Sequence, residues 1–306
     1  LSIRRQRQMC IRDRRSLTRK YYDLTDERSA HINKLKGDLH TVFPQYLDVF
    51  CDVTGKTSTM ILRQYGTPDK ILRGHKKTMI EKISKASRKG LAKASERYEK
   101  LCAAANAAKT FGCQIDSIYF NIFLTLDLVE KLDSALDSIL NRIRQLITFN
   151  KNEKFIQQIK LLNTIPGVGF LTAVTIMCEI GDFSAFRNPK QLFAYFGLDP
   201  EVNESGKFVG TQLHMSKRGS RIARRAIFAV ALASIRTKRN GEGINPYLRK
   251  YYELKSGQKP KMVAIGAVMH KVCNIVFAVL RDEKAFELRS PEEHCKQYQR
   301  PALAAA

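Results

Sequence analysis

Ser205 lies between Glu204 and Gly206, and an arginine-rich helix start follows it with Lys217, Arg218, Arg221, Arg224 and Arg225. A serine hydroxyl is a poor nucleophile at neutral pH and needs a base or a nearby metal to lose its proton. Phosphoryl transfer onto it would also need positive charge around the phosphate in the transition state, which those five side chains could supply. Ser216 and Ser220 sit in the same run and compete for the assignment, with a phosphate contact or an N-cap as their ordinary uses. Glu204 has two readings as well, a general base or a solvated loop carboxylate.

Upstream, Leu162 and Ile165 fit the end of an apolar helix face, and Pro166 stops that helix. Gly167 and Gly169 flank Val168 and permit a tight turn, after which Ala173, Val174, Ile176 and Met177 restore helical spacing. A helix starting near Gly169 has unsatisfied N–H groups and a positive dipole end, together a natural phosphate site. Gly167, Val168 and Gly169 are therefore expected to touch a sugar-phosphate backbone as a helix-hairpin-helix. The plainer reading of Pro-Gly is an ordinary turn between two helices.

The chain carries 53 Lys and Arg against 29 Asp and Glu, a net charge of +24. That imbalance favours a polyanionic partner, bound with release of counterions. Between Lys207 and Lys261 fourteen residues are basic and two acidic, so the charge is clustered. The apolar runs Ala226–Ala233 and Met262–Met269 are too short to cross a bilayer, which leads to the expectation of no membrane partner. Seven scattered cysteines without a C-x-x-C pair fit reduced thiols, and the histidines show no ligand spacing, so neither a disulfide frame nor a metal site is expected. No signal peptide is recognisable, and the expected setting is cytoplasmic and nucleoid-associated.

The elements that must position these groups are helical. Leu17–Val42 forms one apolar face, and Ile115, Ile118, Ile122, Thr125, Val129, Leu132, Leu136, Ile139, Ile143 and Leu146 alternate three and four residues apart. The second pattern fits a core helix or a coiled-coil arm, used for dimerisation or for packing on the first. Between them, Thr67-Pro68-Asp69 reads as an N-cap with proline at the first helical position, opening a basic helical insert that runs to about Asn106. Pro189–Leu198 reads as a short helix ended by Gly197, Asp199–Gly210 as a loop or small hairpin, and Ile222–Ile235 and Val263–Leu280 as buried helices.

Together, Ile165–Gly169, Phe193–Pro200, Glu204-Ser205-Gly206 and Met215–Gly219 resemble the transposases of the insertion sequence 110 family, its insertion sequence 1111 branch included. The likeness is good over roughly Leu161–Asp282 and loose upstream. What it implies is a serine-dependent DNA recombinase guided by a structured RNA that the element encodes, with Ser205 at the nucleophile position. It also implies Mg²⁺ held by a RuvC-like domain's four acids, and dimers or tetramers formed through the helical arm. The motifs of that RuvC-like domain are not found, so an N-terminally truncated fragment is expected, its acidic ligands absent from this chain and its isolated activity lost.

The expected fold is mostly α, a long helical coiled-coil arm plus a compact helical C-terminal transposase domain containing the helix-hairpin-helix. The expected divisions are a non-native leader (1–14, whose Arg7–Arg14 resembles translated adaptor DNA), the arm with its basic insert (15–150), the transposase domain (151–289) and a disordered tail (290–306). The alternative function is a non-catalytic, structure-specific DNA- or RNA-binding module.

Overall fold

The computed structural model describes residues 3–113, 115–149, 152–201, 204–205, 208–209 and 214–298; side chains at 3–11, 204–205, 208–209, 294–295 and 297–298 are outside that description. Among the described residues there are fourteen α-helices and one two-stranded ribbon, so the chain is mostly α. It divides into two compact units, residues 21–139 and residues 1–20 with 140–306.

Unit 21–139 takes most of α1 (Ile3–Val42), then α2 (Tyr46–Val49), α3 (Lys56–Gln64), α4 (Pro68–Arg73), α5 (Lys76–Ser87), α6 (Gly90–Phe111) and most of α7 (Asp116–Thr148). Leu35, Leu39, Phe43, Ile61, Leu101 and Ile122 are fully buried in its core. Tyr46 is buried with them because its hydroxyl is bonded to Ser58 Oγ at 2.9 Å, which removes the desolvation cost of the oxygen. Thr67 caps α4 by accepting from Lys70 N, with Pro68 at the first helical position. Arg28 grips Asp133 with both arms of its guanidinium, joining α1 to α7 within this unit.

The regular spacing on α7 is only partly the buried seam. Ile122, Thr125, Val129, Leu136 and Ile143 are buried, but so are Tyr119, Leu126 and Ile147, whereas Phe120, Leu124 and Leu128 form an exposed apolar row.

The second unit holds α8 (Glu153–Leu162), α9 (Phe170–Ile180), α10 (Pro189–Tyr195), β1 (Glu204–Ser205), β2 (Phe208–Val209), α11 (Arg221–Ile235), α12 (Pro246–Ser256), α13 (Lys261–Asp282) and α14 (Pro291–Tyr298). α13 packs against α8, α10, α11 and α12 and forms its centre. α13 is 22 residues long with a mean hydropathy of 2.0 over its best window, enough by length and composition to cross a bilayer, yet its apolar side chains from Ala264 to Leu280 lie mostly in the core of this unit. Arg14, at the end of the stretch set aside as a leader, lays its guanidinium 4.2 Å from the centre of the Phe155 ring. Of the tail expected at 290–306, residues 291–298 are helical and residues 299–306 lie outside the described residues.

Candidate nucleic-acid interface

The turn between α8 and α9 is built as its residues dictate. Pro166 cannot extend α8, and Gly167 takes φ +94, a left-handed region costly for a side chain. A Cβ there would stand 3.0 Å from Ser234 Oγ and 3.1 Å from Ser234 N, so the turn lies directly on the end of α11. Ser234 donates its hydroxyl to the Pro166 carbonyl at 3.0 Å. Gly169 is exposed, has open space where a Cβ would stand, and caps α9 without a side chain. Val168 is only 7% exposed. Of the three nominated turn residues, Gly169 is thus the one facing solvent, and Val168 is a packing residue.

At the other end of α9 a carboxylate is buried. Glu179 is 1% exposed and takes two bonds from Arg19, Nε to Oε1 at 2.8 Å and Nη2 to Oε2 at 2.9 Å. Ser220 donates to the same Oε2 at 2.8 Å, while its Oγ accepts from Ala223 N at 3.1 Å as the N-cap of α11. The carbonyls at the end of α9 are satisfied by Arg15, bonded to Cys178 O and Glu179 O, and by the Tyr195 hydroxyl on Glu179 O at 2.9 Å. Cationic donors there suit the negative end of the helix dipole. Burial pushes the Glu179 carboxyl up, but the bonds from Arg19 and Ser220 and the charges of Arg19 and Arg15 outweigh it and hold the group below the ordinary glutamate value.

Beside Ser220 two chain segments cross backbone to backbone. Gly197 and Gly219 make the approach possible, since a Cβ on Gly219 would stand 2.1 Å from Tyr195 O and 2.4 Å from Gly197 N. Lys217 N donates to Gly197 O at 3.1 Å, Ser216 Oγ to Asp199 Oδ1 at 2.7 Å, and Arg224 Nη1 to Phe196 O at 3.0 Å. From this crossing a β-hairpin departs. Pro200 bridges Met215, Glu201 N donates to His214 O at 2.7 Å, and further out Ser205 pairs with Phe208 and Glu204 with Val209. The expected loop or small hairpin is therefore a hairpin with Ser205 on its first strand; Asn203, Gly206 and Gly210 lie outside the described residues.

The nominated basic residues divide by task. Lys217, Arg218 and Arg221 are exposed, whereas Arg224 and Arg225 are half-buried. Arg224 holds the crossing, and its burial together with the charge of Arg221 lowers its pKa from the usual arginine value. Ser216 and Ser220, the rival serines, are engaged with Asp199 and Glu179, and Ser220 is the N-cap.

The base of the Ser205 hairpin and the five basic residues share one end of the α9–α11 pair. Gly167 and Gly169 stand at the other, because Ser234 ends α11 where Ser220 begins it. The 11 residues of α9 separate the two ends by about 16 Å. Glu179, Arg19 and Tyr195 were not singled out by sequence. The available signal is a carboxylate inside Ala173–Ile180, a run buried on every side, where a charge persists only with partners.

Among the described residues no group of three or more His, Cys, Asp or Glu could hold a metal ion, and Glu179 is committed to arginine and serine. The described residues thus do not fit the implied Mg²⁺.

A family model described as the transposase IS116/IS110/IS902 family matches residues 159–253, the stretch that contains the turn, the hairpin and the basic helix start. The chain is 24% identical over 272 residues to the insertion element IS110 uncharacterized 43.6 kDa protein of Streptomyces coelicolor, covering 88% of this chain and 63% of that protein. It is 30% identical over 177 residues to the pilin gene-inverting protein of Moraxella bovis, 58% of this chain and 52% of that one. It is 26% identical over 188 residues to the transposase for insertion sequence element IS1111A of Coxiella burnetii, 60% of this chain and 50% of that one. The chain spans less than two thirds of the length of each of these relatives.

Proposed function

We propose that this chain, whose residues 159–253 match the IS116/IS110/IS902 transposase family model, is a member of that family and takes part in DNA recombination by an insertion sequence, with Ser205 as the nucleophile. The Ser205 oxygen forms a phosphoserine ester as the P–O bond of one strand breaks, its proton leaving and the expelled strand oxygen gaining one. A hydroxyl on another strand then reverses the exchange, so the number of phosphodiesters is conserved. Lys217, Arg218 and Arg221 oppose the negative charge of the phosphoryl group in flight. The observation that carries this reading is the seating of the Ser205 hairpin on the crossing from which the basic helix start emerges.

Gly169, about 16 Å away along α9, holds the flanking duplex through the free amides of a helix-hairpin-helix. The remaining parts come from the family resemblance: a structured RNA as guide, Mg²⁺ supplied by acids outside this chain, and a dimer or tetramer formed through the helical arm. The exposed row Phe120, Leu124 and Leu128 on α7 supports self-association. Such a substrate places the protein with the bacterial chromosome in the cytoplasm.

The test is a covalent-adduct gel on element-end DNA with Mg²⁺, beside a binding assay on the same DNA. With the acid-bearing part of a full-length relative supplied in trans, wild-type chain gives a protein–DNA adduct, and Ser205→Ala binds equally and gives none. An adduct from the variant would remove Ser205 from the chemistry. Binding without any adduct from wild type would favour the non-catalytic module.

A further inference from the structure

We infer that Glu179 is a positioning residue that fixes the basic start of α11 through Ser220 and is itself held by Arg19; the inference rests on the nucleic-acid reading of that helix start. Within 3 Å of its two oxygens stand two guanidinium nitrogens and one hydroxyl. A carboxylate with 1% exposure in an otherwise apolar run carries a desolvation cost that an isosteric apolar residue would avoid. What an apolar residue would lack is direction. The Glu179–Ser220 bond reaches the cap of α11, which carries Arg221 and Arg224 in its first turn and Arg225 just after, beside Lys217 and Arg218.

That first turn concentrates like charges at the positive end of a helix dipole, an arrangement that repels itself unless a fixed negative charge lies beneath. Glu179, its own charge taken up by Arg19 and Arg15, acts on that turn through its bond to Ser220. Because it is buried, it holds the cap from inside without standing where a phosphate would bind. With the cap held, the arginines are oriented before the polyanion arrives, which lowers the ordering cost of binding.

The test reads the salt dependence of binding to a fluorescein-labelled DNA duplex, at a temperature where circular dichroism shows every variant folded. Loss of one phosphate contact reduces the slope of log K against log salt by about 0.9, and Arg221→Ala sets that reference. Ser220→Gly keeps an accepted N-cap residue but has no hydroxyl for Glu179, and Glu179→Gln removes the buried charge. Both should lower the slope as Arg221→Ala does, while Ser220→Thr, which keeps the hydroxyl, should retain it. A wild-type slope and affinity in Ser220→Gly, with Arg221→Ala impaired, would overturn the positioning role and leave the nucleic-acid reading standing. Should Arg221→Ala change nothing, the reading beneath it fails instead. A merely structural Glu179 would lower the melting temperature and leave the slope untouched.

Discussion

Ser234 donates its hydroxyl to the Pro166 carbonyl at 3.0 Å, and this bond joins the glycine turn to the last helical turn of α11. The turn is consequently part of the packed body of its unit rather than a free loop, and its two glycines have separate reasons to exist.

Gly167→Ala should destabilise the chain by about 2 kcal/mol, since a side chain at φ +94 is strained and its Cβ would press on Ser234. Gly169→Ala should fold like wild type, because φ there is −93 and the space is open. Urea denaturation separates the two. Any fall in DNA affinity at Gly169→Ala then reports a ligand approaching that amide, whereas unchanged affinity would leave the turn a structural element.

Local signals were legible in the sequence and distant partnerships were not. Thr67 and Pro68 specify the start of α4 because cap and capped amide are three residues apart. The N-cap role weighed for Ser220 is equally local. Glu179, by contrast, meets Arg19 across 160 positions and Ser220 across 41, so nothing adjacent announces its partners. The regular spacing on α7 identifies a helix but not its full seam, since Tyr119 and Leu126 are buried as well. The separation of Gly169 from the Ser205 hairpin depends on the antiparallel run of α9 and α11, and periodicity along either helix is silent about direction.

Removing Arg19 should cost more than removing its partner. Arg19→Ala strands a carboxylate with 1% exposure, at about 3 kcal/mol, while Glu179→Gln leaves an arginine whose side chain is 49% exposed and can hydrate, at about 1 kcal/mol. Denaturant midpoints of the two variants check the order. The reverse order would mean that the guanidinium, not the carboxylate, is the desolvated partner.

The same pair sets a pH dependence. Glu179 titrates below its ordinary value when folded, so its stabilisation is complete above the unfolded value and is lost as pH falls through the folded one. Wild type should therefore lose stability on acidification below about pH 4.3, the ordinary glutamate range, and Glu179→Gln should show a shallower loss there. Equal acid slopes for the two proteins would place the titrating group elsewhere.

Gly219→Ala should be among the most disruptive single substitutions in its unit. Its Cβ would stand 2.1 Å from Tyr195 O and 2.5 Å from Phe196 C, both backbone atoms that no rotamer change can move. A loss of about 3 kcal/mol or more is expected, measured by denaturation. A loss below about 1 kcal/mol would mean that the crossing opens without cost, and the seat of the Ser205 hairpin would then be loose.

Lys217 offers the sharpest separation of stability from binding. Its φ of 54 lies in the left-handed region without ending a helix, unlike Arg88 and Glu283, which share that geometry as helix C-caps. Left-handed geometry costs an ordinary residue about 1–2 kcal/mol, and glycine loses about 0.5–1 kcal/mol of that relief to its freer unfolded chain. Lys217→Gly should thus gain about 0.5 kcal/mol of stability by this difference. If the exposed ammonium meets a phosphate, the same variant should bind DNA more weakly, with a salt slope reduced by about 0.9. Opposite signs in the two measurements would show strain held in place for binding; a stabilised variant with unchanged affinity would take Lys217 out of the interface.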